Sequence, residues 1–273
     1  MKLSCLPVSY FAEIINGQMS LGQWAREAAG LGLSAIDITI LFVRSRNASD
    51  LRSMRQEIEA EGVRVAMVAT YPDFTHPDRA ERFNQARHLE ADIAAAAALG
   101  AELVRVTAGQ AHPRTSREEG IAWAIEGLTA ALPAAERHGV RLVYENHSKP
   151  GVWNYYDFSY PTDIFLAIVQ GTAGTSLSIN FDMANPLVYG DDPLPLLKRV
   201  VDRVASVHAA DIRAAGALEP VVIGTGVVPF RQIFSALKEN GFDGWICIEE
   251  ASCSGPAGVE QAVSFIRRTW EEA

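Results

Sequence analysis

Eight times along this chain a short, apolar, β-branched run is followed by a longer stretch with helical spacing of its apolar residues. No other feature restricts the fold as strongly. Strands that alternate with helices run parallel, because each return needs a crossover. The runs are KLSCLPVSY (2–10), SAIDITI (34–40), VRVAMVAT (63–70), ELVRVTAG (102–109), RLVYENH (141–147), LSINFDMA (177–184), VASVHAADI (204–212) and GWICIEEAS (244–252). Segments such as LGQWAREAAGLG and FRQIFSALKENG lie between them, and several close on Gly, a common helix stop. Strands that are apolar along their length are covered on both faces. Eight units of roughly 30 to 40 residues fill the 273-residue chain, the usual size of a (β/α)8 TIM barrel. The expectation is an α/β chain forming one barrel domain over residues 1–273. A doubly wound open sheet is the alternative, and it calls for a Gly-rich phosphate loop. Neither GxGxxG nor a P-loop is present.

In such a barrel the C-terminal strand ends converge on the face that carries function. The fifth strand ends in Glu145-Asn146-His147, and the sixth brings Asp182 and Asn185. The seventh brings His208 and Asp211, and the eighth Glu249 and Glu250. One acidic residue at a strand end is usually a helix cap or a solvated loop residue. Four adjacent strand ends that all deliver ligand-type side chains point instead to a divalent metal. A set rich in oxygen with one nitrogen suits Mn²⁺ best, then Mg²⁺ or Co²⁺, with Zn²⁺ compatible. Along WICIEE, Trp245, Cys247 and Glu249 share one face and Ile246, Ile248 and Glu250 the other; alternation does not say which face points inward.

Further rim residues have two readings each. His76 and His112 follow the third and fourth strands, either touching substrate or simply solvated. The aromatic segment 153–158, led by Trp153, reads either as a lid that stacks on a sugar or as packing against the rim or a partner subunit. GTGVVPF (224–230) reads as a tight turn before a helix.

The net charge of −9 argues against a protein that grips nucleic acid or an anionic membrane, and so for a small-molecule partner. Cys5, Cys247 and Cys253 are too few and scattered for a disulfide framework, and the first two lie in apolar runs as small buried hydrophobes. No signal-peptide core is visible, and no apolar stretch approaches the ~20 residues of a membrane span, so a cytoplasmic protein is expected.

YENH (144–147), NFDMANP (180–186), VHAAD (207–211), GTGVVPF (224–230) and ICIEE (246–250) resemble segments of the xylose isomerase-like sugar isomerase/epimerase superfamily. Its members include ketose 3-epimerases, hydroxypyruvate isomerase, inosose dehydratase and endonuclease IV. The resemblance implies a divalent metal held by Glu145, Asp182, His208 and Glu249, and so favours Glu249 over Glu250. It further implies that Glu145 and Glu249 move protons on opposite sides of a substrate, with His147 and Asp211 beside the site. Two positions depart from the relatives. Asn185 stands where many carry a further histidine; it can bond a hydroxyl but ligates metal poorly. Arg213 does not clearly match the arginine of the ketose epimerases. The expected activity is a metal-dependent isomerase or epimerase of a sugar, sugar phosphate or keto-sugar. It would work through an enediolate, which a divalent cation stabilises as a Lewis acid. A dehydratase of inosose dehydratase type is the alternative. An endonuclease IV-like phosphodiesterase and a non-catalytic binder are less favoured, and a homo-oligomer is compatible with the resemblance.

Overall fold

The computed structural model describes residues 1–148 and 151–273. All eight expected strands are present: β1 (Lys2–Leu6), β2 (Ala35–Thr39), β3 (Arg64–Ala69), β4 (Leu103–Val106), β5 (Arg141–Glu145), β6 (Ser178–Asp182), β7 (Val204–Ala209) and β8 (Trp245–Glu249). Every hydrogen-bonded neighbour is parallel, in the order β1-β8-β7-β6-β5-β4-β3-β2. β1 also lies beside β2, so the sheet curls into a nearly closed barrel. The crossovers are α1 (Leu21–Gly30), α2 (Ala48–Glu59), α3 (Arg79–Ala98), α4 (Arg117–His138), α5 (Thr162–Gly171), α6 (Pro193–Val200) and α7 (Phe230–Glu239), and α8 (Gly255–Glu272) follows the last strand. No described helix is long and apolar enough to cross a membrane.

The crossovers start and stop where local chemistry dictates. Ser20 and Ser116 head capping boxes with Gln23 and Glu119, so each reciprocally satisfies donors that a helix start leaves bare. Gly139 ends α4 at φ 67°, a left-handed conformation that costs glycine nothing. The amphipathic α7 buries Phe230, Ile233, Phe234 and Leu237 on one face. Full burial of each such side chain is worth about 1.5–3 kcal/mol.

Two apolar layers result. Outward residues of the strands, among them Cys5, Ile38, Val104, Tyr144, Phe181, Val207 and Ile248, pack with the helices in the large core. Inward ones, among them Leu6, Ala35, Met67, Leu103, Val143, Trp245 and Cys247, form a smaller cluster inside the barrel. Period-two alternation then carries Asp37, Arg105, Glu145, Asn180, Asp182, Ser206, His208 and Glu249 inward as well. The interior is therefore apolar at the bottom and polar toward the C-terminal end. Several strands are shorter than their apolar runs. The run 141–147 leaves the ladder at Glu145, and 244–252 leaves it at Glu249. The residues beyond those points form the rim.

Candidate metal centre

Ligand-type atoms of Glu145, Asp182, His208 and Glu249 all lie within 4.8 Å of one another at the C-terminal end of the barrel interior. The alternation left open by the sequence is resolved by packing. Glu249 shares its face with Trp245 and Cys247, which belong to the inner cluster. Glu250 is fully buried on the opposite face, where it accepts from Ser9 Oγ and, at 2.8 Å, from the Ser252 amide.

Each ligand is held by its neighbours. His208 Nδ1 lies 2.5 Å from Glu145 Oε1 and 3.6 Å from Glu249 Oε2. Glu145 Oε1 also accepts from Asn180 Nδ2 at 3.1 Å, and Asn180 in turn accepts from Ser206 Oγ at 2.7 Å. On the other side, Arg105 Nε stands 3.1 Å from Glu145 Oε2, both side chains 1% exposed. Arg105 is fixed by donating to the Thr70 carbonyl at 2.9 Å and by lying 4.5 Å over the Tyr71 ring. Asp182 Oδ1 accepts the backbone amides of Ala184 (2.8 Å) and Asn185 (2.6 Å), which leaves Oδ2 to serve the cluster. Asn146 explains why an amide follows Glu145. Its Nδ2 donates to the Asp182 carbonyl at 2.9 Å and its Oδ1 accepts the Asp182 amide at 2.8 Å. That side chain stands in for a ladder partner just where β5 stops, and locks the end of β6 in place.

Burial opposes ionisation of Glu145, but His208 and Arg105 overrule it and hold the carboxyl well below the usual range. Burial likewise opposes charging of His208, and Glu145 and Glu249 push it up to about 9. Asp182 and Glu249 are raised, first by burial and then by the neighbouring carboxylates. Three carboxylates and one imidazole thus compete for protons in a dry space. Glu145 Oε2 and both nitrogens of His208 are buried without a hydrogen bond among the described residues. Ligand-type atoms crowded to such distances fit a divalent cation, which would take one carboxylate oxygen from each acid and one nitrogen of His208. The oxygen-rich set suits the metals expected from the sequence.

Above the cluster opens a cavity whose wall includes His147, Asp182, Asn185, Asp211 and Glu249. His147 is half-buried, its side chain 12% exposed, and desolvation together with Arg105 drops its pKa to about 3 despite the pull of Glu145. Asn185 opens the short helix Asn185–Tyr189 and faces the same space. Asp211 reaches the wall but is occupied. Oδ2 accepts the amides of Gly224 (2.9 Å) and Gly226 (2.8 Å), and Oδ1 those of Ile212 (3.0 Å) and Val228 (3.2 Å). GTGVVPF is accordingly a turn wrapped on Asp211, and a Cβ at Gly226 would stand 2.2 Å from the Ile212 carbonyl.

His76 and His112 are not in the wall of this cavity. They pack edge to face, ring centroids 4.7 Å apart, and His112 Nε2 lies 2.7 Å from Asp73 Oδ2. Trp153 is 8% exposed and presents its ring edge-on to His147, centroids 6.3 Å apart. Sequence reasoning passed over Asp37, Arg105 and Asn180. The signal available was a charged or amide residue in the middle of an apolar run, which can only be paired and inward.

Comparison with known proteins gives the same architecture. Inosose dehydratase of Lacticaseibacillus casei is 27% identical over 139 residues, a match covering 45% of this chain and 44% of that protein. The chain thus matches less than half the length of this curated relative. D-psicose 3-epimerase of Clostridium cellulolyticum H10, solved with D-tagatose, superposes with a TM-score of 0.81 at 14% identity, covering 99% of both chains. A probable 3-DHS dehydratase of Bacillus anthracis superposes at 0.77 and 15% identity, covering 98% of this chain and 99% of that one. Both structural likenesses speak to the fold. The family model described as the xylose isomerase-like TIM barrel matches residues 25–269, nine-tenths of the sequence, and the chain belongs to that family.

Proposed function

We propose that this protein is a divalent-metal-dependent isomerase or epimerase of a small sugar or keto-sugar, with Mn²⁺ the favoured ion. The observation that carries the reading is the convergence of Glu145, Asp182, His208 and Glu249 within 4.8 Å, with Asp182 and Glu249 in the wall of a cavity. These four residues would hold the cation. When bound, it would supply Lewis acidity toward the oxygens of a hydroxy-carbonyl compound and make the adjacent C–H more acidic.

The two glutamates differ in a way that suits proton transfer. Glu145, kept ionised by His208 and Arg105, is the proton acceptor. Glu249, 24% exposed in the cavity wall, is the second carboxylate and returns a proton to the carbon. Glu145 takes the proton from the carbon beside the carbonyl, leaving an enediolate, and Glu249 returns one. Delivery to the opposite face of the same carbon epimerises; delivery to the neighbouring carbon isomerises. His147 and Asn185 contact substrate hydroxyls from the wall. Asp211 acts through the 224–230 turn that it anchors.

A second reading, a dehydratase, is favoured by the name of the relative from Lacticaseibacillus casei. It uses the same first proton transfer and then expels a β-hydroxyl that leaves as water. Proton NMR in D₂O with Mn²⁺-loaded protein and a panel of ketoses, inososes and hydroxypyruvate tests both. Deuterium entering at a carbon beside a carbonyl supports enediolate chemistry, and the labelled carbon or the loss of water assigns the reaction. Glu145→Gln or Glu249→Gln should abolish exchange in a folded protein. Near-normal exchange in either variant removes that residue from proton transfer.

A further inference from the structure

Behind His147 lies a carboxylate oxygen without a hydrogen-bond partner among the described residues. Asp157 sits on the segment that follows β5, where the backbone fixes it. Its amide donates to the Ser148 carbonyl at 2.6 Å, and the next amide, of Phe158, donates to Gly109 at 2.7 Å. One side-chain oxygen closes a turn, since Oδ1 accepts the Ser159 amide (2.7 Å) and hydroxyl (2.6 Å). The other has no such role. Oδ2 is buried, has no hydrogen-bond partner among the described residues, and faces His147 Nδ1 at 3.9 Å. His147 Nδ1 is equally buried and equally without a partner.

That gap is informative. It is too long for a hydrogen bond, and too short for a bridging water, which would hold its two partners about 4.5 Å apart. Among the described residues the Tyr144 hydroxyl is a second buried orphan under the influence of Asp157, but the atom that faces Oδ2, at 3.9 Å, is His147 Nδ1. The torsions that would close the distance are the broad terminal torsions of a histidine and an aspartate, which are soft. Trp153, edge-on to the imidazole, limits the ring's freedom on one flank. Burial pushes Asp157 up to about 8 while Oδ2 stands bare. A third donated hydrogen bond, from His147, offsets that burial.

We propose that Asp157 is the positioning residue of His147: it accepts the Nδ1–H, fixes the neutral imidazole in that tautomer, and leaves the unprotonated Nε2 for the cavity. This rests on the reading of His147 as a substrate contact. It adds a statement about what is recognised there. At Nε2 the wall offers an acceptor, so it takes a hydroxyl group of the substrate and disfavours a carbonyl or a phosphate oxygen.

The ring nitrogens report the tautomer directly. Long-range ¹H–¹⁵N correlation at pH 7, on chelator-treated and on Mg²⁺-loaded protein, should show His147 protonated at Nδ1 and bare at Nε2; His147→Gln identifies its signals. Asp157→Asn keeps the Ser159 turn through its carbonyl oxygen but presents NH₂ where Oδ2 stood. It should therefore invert the tautomer to Nε2–H, whereas a residue that only closed the turn would leave it unchanged. A wild-type His147 protonated at Nε2 overturns the proposal even if the variant does not fold. So does an unchanged tautomer in a folded Asp157→Asn protein. The measurement needs no substrate, so failure of every compound in the exchange panel would count against the proposed function and not against this pair. On any compound that exchanges, Asp157→Asn should lower turnover at least tenfold; unchanged turnover with an inverted tautomer overturns the positioning role.

Discussion

Arg105 is the residue that most shapes the chemistry of the cluster, although it offers no ligand atom. It is the sole arginine or lysine among the fully or nearly fully buried described side chains, and its partner is Glu145. Two ions buried together gain little against an apolar pair, but removing one strands the other. Arg105→Met, similar in length but uncharged, should therefore destabilise the metal-free protein by about 3–5 kcal/mol. It should also weaken the hold on Glu145 as the ionised partner of the two glutamates. Urea unfolding in the presence of chelator measures the first effect. A loss under about 1 kcal/mol would mean that Glu145 is already neutralised by His208 and that the arginine is dispensable. Asp37, on β2, poses the same problem in a milder form. Its oxygens are buried with no hydrogen bond among the described residues, and burial raises it to about 6.

At the scale of elements, the strand ends matter more than the strands. Asn146 joins β5 to β6 after their ladder has run out, with two hydrogen bonds to the backbone of Asp182. Asn146→Ala leaves that amide and carbonyl without partners in a buried site, a cost of about 2 kcal/mol. Because Asp182 is then free to shift, metal affinity should fall at least tenfold, the scale seen when the support of a ligand is lost. Competition with a fluorescent chelator measures it, and unchanged affinity would show that Ala184 and Asn185 alone fix the aspartate. The same strand ends separate what is legible in the sequence from what is not. All eight strands and the helices between them are legible because apolar runs and Gly stops are local signals. The cluster residues Glu145, Asp182 and His208 are legible because a polar residue that terminates an apolar run stands out. The choice of Glu249 over Glu250 is not, since alternation fixes the relative faces of two residues and only packing against the other strands fixes which is inside. Nor is the company kept by Asp211, His112 and Asp157. Their partners lie in other loops, brought near by tertiary closure that no spacing in the sequence records.

The molecule as a whole trades protons for a cation, and this gives its stability a pH dependence with a definite sign. In the metal-free protein His208 is raised to about 9 from its ordinary value, because burial is outweighed by Glu145 and Glu249. A raised group stabilises the fold fully below its unfolded pKa, near 6.5, and that contribution is lost as pH rises through about 9. Asp182 and Glu249 are raised as well, so their contributions too are present at low pH and fade as pH climbs. All three push the metal-free protein the same way. The His208 shift alone corresponds to about 3 kcal/mol, or roughly 6 °C in Tm for a chain of this size. A divalent cation removes the dependence by taking the place of those protons, because ligands bind it deprotonated. At pH 7, loading should therefore release about one proton or more per metal, read by calorimetry in buffers of different ionisation enthalpy. Ligand excess adds its own stabilisation, about 4 kcal/mol at a thousandfold over Kd. The gap in Tm between Mn²⁺-loaded and chelator-treated protein should thus widen from pH 6.5 to pH 9. A gap that stays constant or narrows would place the metal away from His208, since only a cation sharing the imidazole and the raised carboxyls competes with their protons.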